Sequence, residues 1–301
     1  MNYTLLFLLL IHSTVTADDG AVVLKLANSL SPLSTGWSNV SSRGFCTNWA
    51  GMQCDSSGRV SSINLSNFGL IGTLPSEFSN LTELLFAAWK LPADLARCTG
   101  LKSFKATNSI ITGSIPGIFA SLSSLQDLML GFNNLKGPLP PSMAKSGIKN
   151  LWLNNQLEGL TSNINVLASM TQLSQVWLHV NKFTGPIQDL SNCKSNLDLQ
   201  LRDNLLTGIV PCSLVSLPSL LNVSLSNNKL QGPDPAFPST VTVDDYHSTN
   251  NFYADAGVPC DQQATTLLQI AGDFRHPVRL SDGWYRNGVL CVVGFVLDAI
   301  P

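Results

Sequence analysis

Leu128-Met129-Leu130-Gly131-Phe132-Asn133-Asn134-Leu135-Lys136-Gly137-Pro138-Leu139-Pro140 is a complete copy of a pattern, L-x-L-x-x-N-x-L-x-G-x-L-P, that recurs along this chain. Further copies run through Val176, Leu178, Asn181, Phe183, Gly185 and Ile187. Others run through Leu199, Leu201, Asn204, Leu206, Gly208 and Val210, and through Val223, Leu225, Asn228, Leu230 and Gly232. A fixed period near 24 is the signature of a solenoid, in which each coil buries its apolar face only by stacking on its neighbours. A solenoid offers an extended surface before it offers an active site.

Each part of the motif has a physical task. The L-x-L step predicts a short strand with its leucines inward and the residues between them on the concave face. The following Asn can satisfy backbone groups that the turn would otherwise leave unpaired. The Gly and Pro shape the return path. The Asn-equivalent positions are Phe68, Ser109, Asn133, Gln156, Asn181, Asn204 and Asn228, at steps of 41, 24, 23, 25, 23 and 24. The first step is irregular: Leu91-Pro92 follows Leu74-Pro75 by only 17 residues. Seven repeats and one shortened coil are therefore expected.

The ends of a solenoid need covers. Ala21, Leu24, Ala27 and Leu30 have helical apolar spacing, and Trp37 and Trp49 follow. A Cys46–Cys54 disulfide would pin this cover, stabilising by roughly 2–3 kcal/mol in the chain-entropy model. The alternative, a metal site, lacks a nearby His or a second Cys pair. Cys98 and Cys193 share one phase of the repeat and read as buried thiols, with Cys212 expected to behave similarly. Residues 264–291 echo the first cap through Ala264, Leu267, Ile270, Ala271, Phe274 and Trp284, but the closing Cys is missing. The domain plan is a signal peptide at 1–17, a cap at 18–58, repeats at 59–240, and an insert with an incomplete second cap at 241–301.

Composition narrows the function. Net charge is −2 and only 12% of residues are charged, so no basic stripe is available for nucleic acid. Leu5–Ile11 followed by Val15-Thr16-Ala17 reads as a secretory signal. No other apolar run reaches the roughly 20 residues a membrane helix needs, the stretch from Gly288 to Ile300 being interrupted by Asp298. The chain is expected to be secreted or extracellular, at the cell surface if it is a fragment of a full receptor. Asn39, Asn64, Asn80 and Asn222 begin N-x-S/T sequons, the acceptor sites of glycosylation.

Motifs for catalysis are missing. His179, His247 and His276 are scattered without metal-ligand spacing, and no nucleophile elbow occurs. Asp244-Asp245 reads as a solvated turn. No cofactor, metal or enzymatic activity is expected. The concave face is richer. Lys105, Met129, Trp152, Trp177, Gln200 and Ser224 occupy the position between the inward apolar residues of successive coils. His179 and Arg202 lie further along the same face. Met129, Trp152 and Trp177 would form an exposed apolar stripe, the kind of surface that marks a binding site. The alternative is that the tryptophans pack on each other or under a glycan.

The cap Trp37…Cys46-x-x-Trp49-x-Gly51-x-x-Cys54 and the L-x-G-x-L/I-P repeat ends resemble the ectodomains of plant leucine-rich-repeat receptor-like kinases. Pro186–Ser191, Leu199–Asn204 and Leu230–Pro233 are most similar to the transmembrane-kinase subfamily associated with auxin signalling. The resemblance implies an α/β solenoid: a plant-type leucine-rich-repeat right-handed superhelix with an N-terminal helical and disulfide cap. It implies a non-catalytic extracellular module that takes a protein or peptide ligand, or a co-receptor; the concave-face residues Lys105, Met129, Trp152, Trp177, His179, Gln200 and Arg202 are the candidates for that contact. The kinase motifs of the family are not in this sequence, so a truncated receptor-like ectodomain is the expected reading. A secreted protein like the polygalacturonase inhibitors and a nonfunctional truncated gene product stay open beside it.

Overall fold

The computed structural model describes residues 19–28, 44–66, 89–247, 249–254, 270–274 and 277–278. The signal segment, Trp37, Asn39, Phe68, Asn80, Cys260, Trp284 and Cys291 lie outside them, as does most of the shortened coil. The chain begins with helix α1 (Asp19–Asn28) and a single turn, α2 (Phe45–Asn48), followed by a hairpin of β1 (Met52–Cys54) and β2 (Val60–Asn64). After β3 (Trp89–Lys90), each coil contributes a pair of strands. The pairs are β4 and β5 (Ser103–Lys105, Ile111–Ser114), β6 and β7 (Asp127–Met129, Asn134–Gly137), and β8 and β9 (Asn150–Trp152, Gly159–Ser162). Next come β10 and β11 (Gln175–Trp177, Lys182–Gly185), β12 and β13 (Leu197–Gln200, Leu205–Ile209), β14 and β15 (Leu220–Ser224, Lys229–Pro233), and β16 and β17 (Thr242–Val243, Asn251–Ala254).

These strands form two sheets. The L-x-L strands stack in the order β1-β2-β4-β6-β8-β10-β12-β14-β16, and the second set in the order β3-β5-β7-β9-β11-β13-β15-β17. Every pairing after the first hairpin is parallel. Parallel neighbours one coil apart are what a solenoid produces, since the chain must travel a full turn between them. The inward residues Leu128, Leu130, Leu151, Leu153, Val176, Leu178, Leu199 and Leu201 are all buried in one core. On the return side, short 3-10 turns at Ala93–Arg97, Pro141–Lys145 and Asn165–Ser169, and helix α3 (Cys212–Val215), each drop one apolar side chain into that core: Leu95, Met143, Leu167 and Leu214.

The Asn positions form a hydrogen-bonded spine between the sheets. Asn133 Nδ2 donates to Ala106 O and Leu130 O, both at 2.8 Å, and its Oδ1 accepts from Ser109 N and Ile111 N at 3.0 Å. Asn204 Nδ2 donates to Leu178 O and Leu201 O at 3.0 Å, while Oδ1 accepts from Phe183 N at 3.0 Å. Asn181 and Asn228 repeat this arrangement, and Gln156 reproduces it with one more methylene. Each amide ties its own coil to the preceding one. Asn250 adds a rung that the sequence motif did not disclose, donating to Leu225 O and Tyr246 O and accepting from Leu230 N. The stacking therefore runs through β16 and β17, past residue 240.

The residue before each rung from Ser109 to Asn228 is left-handed: Asn108, Phe132, Asn155, Val180, Asp203 and Asn227 have φ between 52° and 56°. Asn and Asp tolerate that region and glycine would suit it, whereas a β-branched valine is strained there. The irregular 41-residue step is also resolved in the open sheet. Ser62 pairs directly with Ser103, so the shortened coil expected between them places no strand between β2 and β4.

The N-terminal cap is held by more than apolar contact. Among the described side chains of α1, the buried hydrophobics are Val22, Val23 and Ala27, while Ala21 and Leu24 of the expected stripe are half-buried. Asp19, 4% exposed, accepts from Arg59 Nε and Nη2 at 2.8 Å each and from Val60 N at 2.9 Å. Cys46 and Cys54 are joined in a disulfide, and Phe45 packs edge-on against the buried Trp49. At the other end, Tyr246 donates to Pro235 O at 2.6 Å and packs edge-on against Phe237 and Phe252. Burial pushes the Tyr246 hydroxyl up to about 12.

Candidate functional site

The L-x-L strands put one column of side chains on the open face of the nine-stranded sheet. Register aligns Asn64 with Lys105, Lys105 with Met129, Met129 with Trp152, Trp152 with Trp177, Trp177 with Gln200, and Gln200 with Ser224. Strand spacing of about 4.8 Å brings each side chain against the next. Trp152 and Trp177 take full advantage: their rings lie 4.0 Å apart and 6° from parallel. The expected exposed stripe is thus a stacked pair, and Met129, Trp152 and Trp177 are all half-buried. The stacked indole faces cover each other.

Asp198 organises one side of this pair. Its Oδ2 accepts from Trp177 Nε1 at 2.9 Å and its Oδ1 accepts from Gln200 Nε2 at 2.6 Å. Nothing in the repeat motif singled it out, although its place two residues before Gln200 puts it on the same face. His179 sits beside Trp177 with ring centroids 6.3 Å apart. Burial, and then the neighbouring Arg202, hold its imidazole below the usual histidine range. Arg202 pairs with Asp203, which also accepts from Asn227 Nδ2 at 2.7 Å. Trp177, His179, Gln200, Arg202, Asn222 and Asp244 line an open groove of about 520 Å³. Trp152 Nε1 and His179 Nδ1 are buried atoms with no hydrogen-bond partner among the described residues.

The structure therefore brings six of the seven sequence-predicted residues, from Met129 to Arg202, into one patch. Lys105 stands at its edge, one strand beyond Met129. Two expectations are corrected. Ser224 is buried and donates to Asp244 Oδ2 at 2.6 Å, so it is not a free surface group. Asp244 is not a solvated turn residue: its carboxylate also accepts from Leu225 N and Ser226 N at 2.9 Å, closing the edge of the sheet. Burial raises its pKa, but the hydrogen bonds from Ser224, Ser226 and the backbone outweigh that and hold it below the ordinary value.

The cysteines divide as well. Cys98 and Cys193 are buried, and burial pushes the Cys98 thiol up to about 12. Cys212 is exposed at the start of α3 rather than buried with them. A second groove, of about 550 Å³, follows the left-handed turns and is lined by Ile110, Phe132, Leu157 and Val180. Phe132 is 54% exposed there and Leu157 83%. Sequence reading missed this groove, because its residues fall on the variable positions beside the Asn spine.

No family model matches the chain. Among curated proteins, the chain is 40% identical to receptor-like kinase TMK4 of Arabidopsis thaliana over 93% of its own length and 36% of the relative's. It is 30% identical to receptor-like kinase TMK2 of the same plant over 95% of its length and 39% of the relative's. It is 34% identical to receptor protein kinase WSS1 of Oryza sativa subsp. japonica, over 90% and 36%. The chain thus spans a little over a third of these relatives, on their leucine-rich-repeat part. The alignment with TMK4 extends over 362 positions, so that relative carries stretches without counterpart here. Among solved structures, a plant ice-binding protein superposes with a TM-score of 0.60 at 22% identity, over 78% of this chain and 79% of that one. The PEPR1–AtPEP1 structure superposes at 0.59 and 22%, over 80% and 36%. At these identities the two structures speak for the fold.

Proposed function

We infer that this chain, a leucine-rich-repeat solenoid similar over nearly its whole length to the transmembrane-kinase type of plant receptor-like kinase, is a non-catalytic extracellular binding module of cell-surface signalling. Its partner is a protein or peptide, either a ligand or a co-receptor. The contact lies on the open face around Met129, Trp152, Trp177, His179, Gln200 and Arg202, with Lys105 at the rim. The auxin-related signalling of that receptor type is the context we propose for it.

The observation that carries this reading is the stacked Trp152–Trp177 pair on the open sheet face, with Met129 on one side of it and the polar Gln200 on the other. Two half-buried indoles in the middle of a regular array supply no stacking force that Leu or Val could not supply inward. On the outer face they offer a rigid amphipathic anchor, the residue type that dominates binding energy at protein interfaces. The unpartnered Trp152 Nε1 and His179 Nδ1 point the same way, since buried polar atoms of folded proteins are normally hydrogen-bonded. Asp198 and Arg202 beside them supply charges of both signs, which suits a peptide or protein surface better than a purely apolar small molecule.

The test is a panel of secreted plant peptides and receptor ectodomains screened against the purified chain by surface plasmon resonance. For any binder, the Trp152→Ser, Trp177→Ser double variant should weaken affinity by at least about 2 kcal/mol, roughly thirtyfold. Unchanged affinity in a folded double variant would remove the site.

A further inference from the structure

Two sequons fall within the described residues, Asn64-Leu65-Ser66 and Asn222-Val223-Ser224, and both lie on the open face of the same sheet. Asn64 ends β2 in the column that continues through Lys105 and Met129 to Trp152. Its Oδ1 accepts from Ser66 N at 3.1 Å, which leaves the amide nitrogen directed away from the turn. Asn222 lies on β14 in register with Asp198, the carboxylate that holds Trp177. It is half-buried and lines the same groove as His179 and Arg202. At about 4.8 Å per strand and about 3.3 Å per residue, Asn222 stands about 12 Å from Trp177, two strands across and two residues along, and Asn64 about 14 Å from Trp152 in the same column.

We propose that Asn222 and Asn64 carry N-linked oligosaccharides that frame the tryptophan patch, with the Asn222 glycan screening the groove beside Trp177. The screening role rests on the binding reading above; the modification does not. In the transfer, the amide nitrogen bonds to C1 of an oligosaccharide carried on a lipid diphosphate. The C1–O bond breaks, the lipid diphosphate leaves with its electron pair, and the amide proton is lost to a base of the transferase. The transfer to Asn222 precedes closure of its coil. In the folded chain the Ser224 hydroxyl of the sequon is 4% exposed and committed to Asp244, so the sequon can be read only while the segment is extended.

The placement has a directional consequence. A glycan rooted in the groove wall covers Gln200 and Arg202 from the β14 side, and one on Asn64 covers the face before Lys105. The window left between them spans β4 to β10. A partner that uses the tryptophans must therefore enter across Lys105, Met129, Trp152 and Trp177, reach Gln200 and Arg202 from that side, and be narrow enough to fit between the two sugars.

The experiment uses the full chain secreted from a plant host. Peptide mapping after enzymatic deglycosylation in heavy-oxygen water marks each modified Asn as a labelled Asp. Label at Asn222 and Asn64 is expected; an unmodified Asn222 in the secreted protein overturns the proposal. The screen is read with a nanobody selected on the Asn222→Gln chain and shown to lose binding in Trp177→Ser. Its association with the glycosylated wild type should be at least tenfold slower, and native deglycosylation of that same sample should restore it. Equal association before and after overturns the screening role. The glycan map needs no partner, so it stands or falls separately from the loss of partner binding tested above.

Discussion

Val180 shows how much of this molecule is decided one residue at a time. It occupies the left-handed position that precedes the amide spine, with φ 56°, where three other coils use Asn and one uses Asp. A left-handed non-glycine residue gives up about 1–2 kcal/mol, and a branched Cβ is the worst placed to adopt it. Phe132 makes the same exception in its coil, and both line the apolar groove at the turns. Replacing Val180 with Asn should therefore stabilise the chain by about 1 kcal/mol, and raise the midpoint of thermal unfolding by about 2–4 °C. A fall in the midpoint would mean that Val180 contributes packing that outweighs its strain. The reactive chemistry is equally local. Cys98, buried with its thiol pushed up to about 12, lacks the thiolate that reacts, whereas Cys212 stands exposed only because its coil puts that position at the outer start of a turn.

At the level of the element, a coil is defined by its amide rung and its edge. Asn204 satisfies three backbone groups in two coils, and it is 5% exposed. Alanine there leaves the Phe183 N–H without its acceptor, while the Leu178 and Leu201 carbonyls each lose one of two amide donors and keep the other, from Asn181 and Asn228. At about 1–3 kcal/mol for the unsatisfied N–H, the loss should be about 2 kcal/mol by urea unfolding. A loss below about 1 kcal/mol would make the spine redundant. Asp244 plays the corresponding part at the sheet edge, and its contribution depends on pH. Its folded pKa is depressed, so the stabilisation is present above the unfolded value, near 3.8, and is lost as pH falls through the folded one. Asp244→Asn should lower stability at neutral pH and flatten the acid limb below about pH 4. An acid limb of unchanged steepness in the variant would assign the acid sensitivity to other carboxylates.

For the whole molecule, legibility in the sequence followed periodicity. Leu, Asn and Gly at fixed spacing announced the stack, its open face and the column from Lys105 to Gln200, because a repeated backbone turns sequence interval directly into spatial neighbourhood. What did not repeat stayed hidden. Asp198 acquires its role from a neighbour one coil earlier, Trp177, and Asn250 lacks the leucines that would have marked it as a rung. The stacking of the tryptophans depends on ring orientation, which no interval encodes. The caps are likewise single events. Asp19 and Arg59 are 40 residues apart, yet their charge-assisted pair closes the first coil together with the Val60 N–H. Removing the carboxylate by Asp19→Ala leaves a half-buried guanidinium and a buried N–H without their acceptor, a loss of about 3–5 kcal/mol. In a chain whose coils touch only their neighbours, that loss should stay near the end where it occurs. Amides of β1, β2 and β4 should then exchange at least about a hundredfold faster, and up to several thousandfold, in hydrogen-exchange mass spectrometry, while those of β12 to β15 keep their wild-type protection. Equal acceleration along the whole stack would show instead that the array unfolds as one unit, and that the cap holds the distant tryptophan face as firmly as it holds the first coil.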